Sequence, residues 1–212
     1  MTIDWYFDFV SPFSYLQLLR FANRPLAATL RYHPVLLAAL LNHWGQLGPA
    51  EIAPKRTFTY RQFVWRTRRD GLSVHMPAGH PFNSLKLLRL ALAADCEPRI
   101  IERLFAFVWQ EGHLPDDEPA WAQLIADPEL ARAAVRIDDP DVKEALRRNT
   151  DQAIERGVFG VPTAVVNNEI FWGDDSTAML FDYLRDPQIF SDPEMLRVSA
   201  LPISAARVPK RR

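Results

Sequence analysis

Residues 8–16 read Asp8-Phe9-Val10-Ser11-Pro12-Phe13-Ser14-Tyr15-Leu16, where a β-rich run passes into a helical one. Upstream, Ile3 to Val10 (IDWYFDFV) is short and aromatic, which predicts a strand buried on both faces. Ser11 fits a helix N-cap and Pro12 the first helical position, where a missing N–H costs nothing. Tyr15, Leu16, Leu18, Leu19 and Ala22 then supply a broad apolar face. Two readings of the hydroxyls are open. Ser11 either caps the helix, with Ser14 a first-turn polar residue, for about 0.5–2 kcal/mol. Or the free N–H groups and partial positive charge of the helix end hold an anion to which Ser11 donates.

Outward from this stretch, Thr29–Leu36 (TLRYHPVL) predicts a second strand, and strand–helix–strand at this spacing makes a parallel βαβ unit. From Leu37 to Glu155 strand character vanishes. Helical patterns cover Pro54–Asp70, Pro81–Ala94, Pro98–Glu111, Pro119–Ala126 and Pro140–Arg156, the last capped by Asp139 and stopped by Gly157. Strand character returns in Thr163–Asn167. A turn at Asn167-Asn168 and a short Ile170-Phe171-Trp172 strand make a hairpin, and Thr177–Arg185 is a last amphipathic helix stopped near Pro187. The expectation is an α/β protein with a discontinuous sheet domain (1–36 and 157–187), an all-α insertion (37–156) and a solvated tail (188–212) ending Pro209-Lys210-Arg211-Arg212.

A chain of 212 residues with 48% hydrophobic residues builds a real core, and a formal net charge of −1 points away from nucleic acid. The single cysteine, Cys96, excludes an internal disulfide framework and argues for a reducing compartment. No apolar run approaches the roughly 20 residues of a membrane helix, and the start Met1-Thr2-Ile3-Asp4 has no basic leader, so a cytoplasmic protein without membrane contact is expected. No His/Cys/Asp/Glu cluster has metal-ligand spacing, so no metal is expected.

Three further stretches could carry chemistry. Val161-Pro162-Thr163 leads straight into a strand, although proline cannot donate to a ladder. Either a trans proline opens the strand, or a cis bond leaves Val161 as an outward edge on which a peptide-like ligand adds. Trp172-Gly173-Asp174-Asp175-Ser176 is either a turn with an N-cap, or a mixture of carboxylates and backbone N–H groups suited to the zwitterionic end of an amino acid. His80-Pro81-Phe82-Asn83 either caps the helix after it or contributes His80 and Asn83 to a site.

Together "YFDFVSPFSYL" (6–16), "FGVPT" (159–163) and "FWGDD" (171–175) resemble the 2-hydroxychromene-2-carboxylate isomerases, which stand with the kappa-class glutathione transferases on the thioredoxin-like fold of the DsbA family. The resemblance runs over roughly residues 2–186. It implies a thioredoxin-like fold with a large helical insertion, glutathione as cofactor and a homodimer. Ser11 and Ser14 stand where redox relatives carry C-x-x-C, and hydroxyls cannot form a disulfide. By resemblance, Ser11 is catalytic and holds the glutathione thiol, Val161 pairs with the tripeptide backbone, and Trp172, Gly173, Asp174 and Asp175 hold its γ-glutamyl end. The implied reaction is cis–trans isomerisation of an aromatic α-keto acid, in which a thiolate adds reversibly to a conjugated carbon. The chain also departs from the family. Leu36–Leu41 is wholly apolar where characterised isomerases carry a basic residue, which leaves Lys55 or Arg56 for the substrate carboxylate, and His80 stands at the position of the family's substrate-contacting tyrosine. Competing expectations are a kappa-type transferase using the same Ser11 site and a non-catalytic thioredoxin-like module binding a peptide along the Val161 edge.

Overall fold

The computed structural model describes residues 1–24 and 26–205. Strand β1 (Thr2–Phe7) is central. It pairs in parallel with β2 (Thr29–Pro34) and antiparallel with β3 (Thr163–Val166), and β4 (Glu169–Trp172) completes the order β2-β1-β3-β4. Parallel pairing of β1 with β2 requires a crossover, and α1 (Pro12–Ala22) supplies it. Five of the six β1 residues are buried, as its aromatic run predicts. The β3–β4 hairpin turns at Asn167 and Asn168, both with positive φ (50° and 68°), a conformation asparagine tolerates better than most residues.

Between β2 and β3 lie α2 (Leu37–Trp44), α3 (Ala53–Arg69), α4 (Leu85–Ala93), α5 (Pro98–Trp109), α6 (Glu118–Leu124), α7 (Pro128–Ala134) and α8 (Pro140–Glu155). After the hairpin come α9 (Thr177–Arg185) and α10 (Pro193–Ser199). This mixed sheet with inserted helices is the arrangement the resemblance implies. One apolar cluster joins the sheet to the inserted helices: Trp5 stacks on Phe7 at 4.5 Å, and Phe9 meets Phe105 of α5 at 4.6 Å. Each fully buried side chain of this kind contributes about 1.5–3 kcal/mol.

Several boundaries differ from expectation. The strand predicted through Val10 ends at Phe7, because the Asp8 carboxylate takes the Val10 N–H at 3.1 Å and folds the chain into a side-chain-stabilised turn. The helix predicted from Pro81 starts at Leu85, whose N–H is taken by Asn83 Oδ1 at 3.1 Å. Helix α2 was hidden in an unbroken apolar run without periodicity, and α7 in a short stretch capped by Asp127. The expected tail carries α10, which Asp192 caps by accepting from Glu194 N–H at 2.9 Å. The segment Pro209–Arg212 lies outside the described residues.

Asp4 ties both ends of the sheet region together. Arg31 binds it bidentately at 2.7 and 2.9 Å, Arg156 donates at 2.6 Å and His33 Nε2 lies at 2.8 Å. Burial alone would raise the Asp4 carboxyl, but the bonds from Arg31, Arg156 and His33 outweigh it and hold it at about 2. A carboxyl lowered on folding stabilises the fold above its unfolded value and loses that contribution as pH falls toward 2. Denaturation at pH 6 and pH 2.5 is expected to show Asp4→Asn removing up to about 2 kcal/mol at pH 6 and much less at pH 2.5.

Candidate active site

The Ser11 turn sits at the carboxyl end of β1, where open α/β sheets place ligands. Asp8, 1% exposed, organises it. Its Oδ1 accepts from Val10 N–H at 3.1 Å, and its Oδ2 accepts from Leu37 N–H, the first residue of α2, at 2.9 Å. Burial pushes the Asp8 carboxyl upward, and hydrogen bonds from Ser84 and the backbone counter it. The Asp8 carbonyl accepts from Ser11 N–H at 3.0 Å. Ser11 has extended backbone (φ −91°, ψ 113°), and its Oγ accepts from Ser14 N–H at 3.2 Å, so it is the N-cap of α1. The first turn of α1 holds no acidic residue, which leaves its positive end uncompensated. Ser14 is fully buried, and among the described residues its Oγ has no hydrogen-bond partner. Such an orphan costs about 1–3 kcal/mol.

The Val161–Pro162 bond is cis. Tyr6 pairs with Thr163 at the end of the β1–β3 ladder, so the cis bond lies just beyond the pairing, on the side of the sheet where β1 hands over to the Ser11 turn. Among the described residues the Val161 N–H and C=O take no backbone partner. The loop leading to it is held from α2 by Trp44 Nε1, which donates to Val158 O at 3.0 Å, and by Thr163 Oγ1, which donates to Gly160 O at 2.7 Å. Gly160 carries no side chain because a Cβ there would lie 2.7 Å from the indole nitrogen of Trp172. Trp172 is half exposed and meets Phe159 edge-on at 5.0 Å.

At the end of β4, Gly173 adopts φ +86°, ψ 154°, a region open in practice only to glycine. Its N–H donates to Pro162 O at 2.8 Å, and its carbonyl accepts from buried Gln17 Nε2 at 3.1 Å. Gln17 also donates to Thr177 Oγ1 at 3.0 Å and accepts from Trp5 Nε1 at 2.7 Å. The two acidic residues then part company. The Asp174 side chain is fully buried and ion-paired with Arg20 Nε at 2.7 Å and with Arg66 of α3. Burial pushes its carboxyl up, and Arg66 and Arg20 pull it back. That commitment corrects the expectation that Asp174 is free for a ligand ammonium; Asp175 is the exposed carboxylate of the pair.

The expected substrate residues are placed as follows. His80 lies beside the Ser11 turn, with Nε2 2.7 Å from Val10 O and Nδ1 2.7 Å from the Tyr60 hydroxyl. Asn83 is exposed and spent on the start of α4. Lys55 and Arg56 are exposed on the first turn of α3, and among the described residues neither has an ion-pair partner. Sequence reasoning missed Asp8, Gln17, Arg20, Tyr60 and Arg66. A signal for part of this set was present: Ser11, Ser14, Gln17 and Arg20 recur at three-residue steps, a polar stripe along an otherwise apolar helix.

A family model described as a DSBA-like thioredoxin domain matches residues 2–185. A 2-hydroxychromene-2-carboxylate isomerase of Pseudomonas putida is 30% identical over 187 residues, spanning 85% of this chain and 92% of that protein. The solved structure of a 2-hydroxychromene-2-carboxylate isomerase superposes with a TM-score of 0.75 at 28% identity, over 91% of this chain and 98% of that one. A kappa-class glutathione S-transferase of Caenorhabditis elegans is 21% identical over 207 residues, covering 87% of this chain and 92% of its own.

Proposed function

Because the chain belongs to the DSBA-like thioredoxin-domain family, and within it to the family of 2-hydroxychromene-2-carboxylate isomerases, we propose that it is a glutathione-dependent cis–trans isomerase of aromatic α-keto acids. The observation that carries this reading is the Ser11 hydroxyl at the positive end of α1, whose first turn holds no acidic residue. Glutathione fits the residues present. The free peptide groups of Val161 match a peptide main chain, Asp175 offers a carboxylate to an ammonium, and Trp172 and Gly173 flank it. When bound, glutathione supplies the sulfur that adds reversibly to the conjugated double bond and so lets it rotate.

The chain's own part is electrostatic. Ser11 donates to the thiolate, and the end of α1 places partial positive charge against it. A hydrogen bond to a charged group contributes about 1.5–3 kcal/mol and a helix end about 0.3–1. At about 1.36 kcal/mol per unit, these bring a thiol from near 8.5 down by about one to three units. For the substrate carboxylate the reading assigns Lys55 or Arg56, exposed cations on the first turn of α3. The reading includes a cytoplasmic, homodimeric protein.

The test incubates the protein with benzylidenepyruvate-type and chromene substrates, with and without glutathione, and follows absorbance and mass together. The expected result is a change of absorbance at unchanged substrate mass, seen only with glutathione. A product heavier by one glutathione would favour a transferase, the reading that the kappa-class relative supports. Binding without turnover would leave a peptide-binding module.

A further inference from the structure

The peptide group joining Val10 to Ser11 is held at both ends. Its N–H, that of Ser11, donates to Asp8 O at 3.0 Å, while its carbonyl, that of Val10, lies 2.7 Å from His80 Nε2. A carbonyl can only accept, so this bond requires the hydrogen on Nε2. On the other side of the ring, Nδ1 and the His80 carbonyl each lie 2.7 Å from the Tyr60 hydroxyl. With Nε2 protonated in a neutral ring, Nδ1 is an acceptor, and the Tyr60 O–H donates between it and the carbonyl. Burial favours that neutral form by lowering His80 below its ordinary value. Protonation would turn Nδ1 into a donor toward the Tyr60 oxygen and leave the Nε2–H bond to Val10 in place. Thus α3, through Tyr60, fixes His80, and His80 fixes the peptide plane from which the Ser11 side chain projects.

We propose that His80 is a positioning residue for Ser11: by donating from Nε2 to the Val10 carbonyl, it aims the Ser11 hydroxyl at the glutathione sulfur. The proposal rests on the glutathione reading above. It also changes what His80 was expected to do. With both ring nitrogens engaged by the protein, the ring acts through the Ser11 turn and offers no free nitrogen to a substrate. Loss of the bond frees the Val10–Ser11 peptide to rotate, so the hydroxyl no longer meets the sulfur in one geometry. The ligand's grip at Val161 and Gly173 stands apart from this bond, because among the described residues no hydrogen bond joins His80 to either.

The experiment titrates the ultraviolet thiolate absorbance of bound glutathione in the wild type, His80→Phe and His80→Gln, with glutathione affinity measured calorimetrically on the same samples. Histidine-labelled ¹⁵N spectra of the wild type and His80→Gln identify the His80 tautomer. The inference expects His80→Phe to raise the bound thiol pKa by about one unit, a tenfold loss of the ion-stabilising equilibrium, with glutathione affinity within about threefold of wild type. His80→Gln, whose amide can still donate to the carbonyl, is expected to restore most of the shift, and the wild-type ring is expected to carry its hydrogen on Nε2. An unchanged thiol pKa in His80→Phe, a shift as large in His80→Gln, or a ring protonated on Nδ1 alone would overturn the inference while the glutathione reading stands. A wild type in which bound glutathione shows no lowered thiol pKa would overturn the glutathione reading itself, and this inference with it. If His80→Phe does not fold, the wild-type tautomer and the Gln variant still decide.

Discussion

Ser11→Ala is expected to lower glutathione-dependent turnover at pH 7 by about 10–150-fold, the range that corresponds to a charge-assisted hydrogen bond of about 1.5–3 kcal/mol. The loss should depend on pH. If Ser11 works by holding a thiolate, its removal moves the bound thiol back toward its ordinary value near 8.5, and raising the pH restores the ionised form. The variant should therefore recover much of its deficit by about pH 9, while glutathione affinity falls only a few-fold because Val161 and the Gly173 loop remain. The same substitution deletes the bond from Ser14 N–H to Ser11 Oγ, so a stability loss of about 1 kcal/mol is expected beside the kinetic one. The two effects separate cleanly, since the loss of a cap is insensitive to pH between 7 and 9. Kinetics across that interval, with urea denaturation at both ends, provide the check. A deficit of constant size at every pH would reduce Ser11 to a helix cap.

The sheet and the main helices were legible in the sequence because their signals are local. The aromatic run of β1, the Asn167-Asn168 turn, Pro12 after Ser11 and Gly157 after α8 each act within a few residues. Of the candidate site, the sequence showed only the local devices: the Ser11 cap, the cis bond after Val161 and the Gly173 bend. What escaped is long-range. Arg66 reads in sequence as one cation among the several of α3, and nothing nearby says that it reaches the loop after β4. Asp8 reads as a strand residue until Leu37 N–H arrives on its second oxygen. Tyr60 and His80 are twenty residues apart, and their contact depends on how α3 and the segment before α4 pack. The segment after Ile189 misled in the opposite sense. Most of it is exposed, yet Asp192 and Pro193 start a helix there through local capping.

Asp174→Ala is expected to be the most damaging single change, at about 3–5 kcal/mol, because it leaves the buried Arg66 guanidinium without its anion, while Arg20 keeps only Asp70 at 3.7 Å. The two arginines are unequal. The Arg66 side chain is 14% exposed and Arg20 37%, so Arg20 can turn toward water while Arg66 cannot without leaving its place beside Phe13. The destabilisation should therefore follow Arg66. Arg66→Met together with Asp174→Ala removes both members of the buried pair and is expected to be more stable than Asp174→Ala alone, whereas adding Arg20→Ala to Asp174→Ala should help little. Urea denaturation reads these differences directly: at typical slopes of about 1–3 kcal/mol per molar, the Asp174→Ala midpoint should fall by about 1 M or more. Equal rescue by either arginine would mean that the charge is shared and the burial of Arg66 is immaterial. The consequence for binding follows from position. Asp174 stands between Gly173 and Asp175, and Arg66 joins that bend to the inserted helices. Arg66→Met/Asp174→Ala should thus fold yet hold glutathione more weakly than wild type, separating the part of this ion pair that supports the fold from the part that shapes the site.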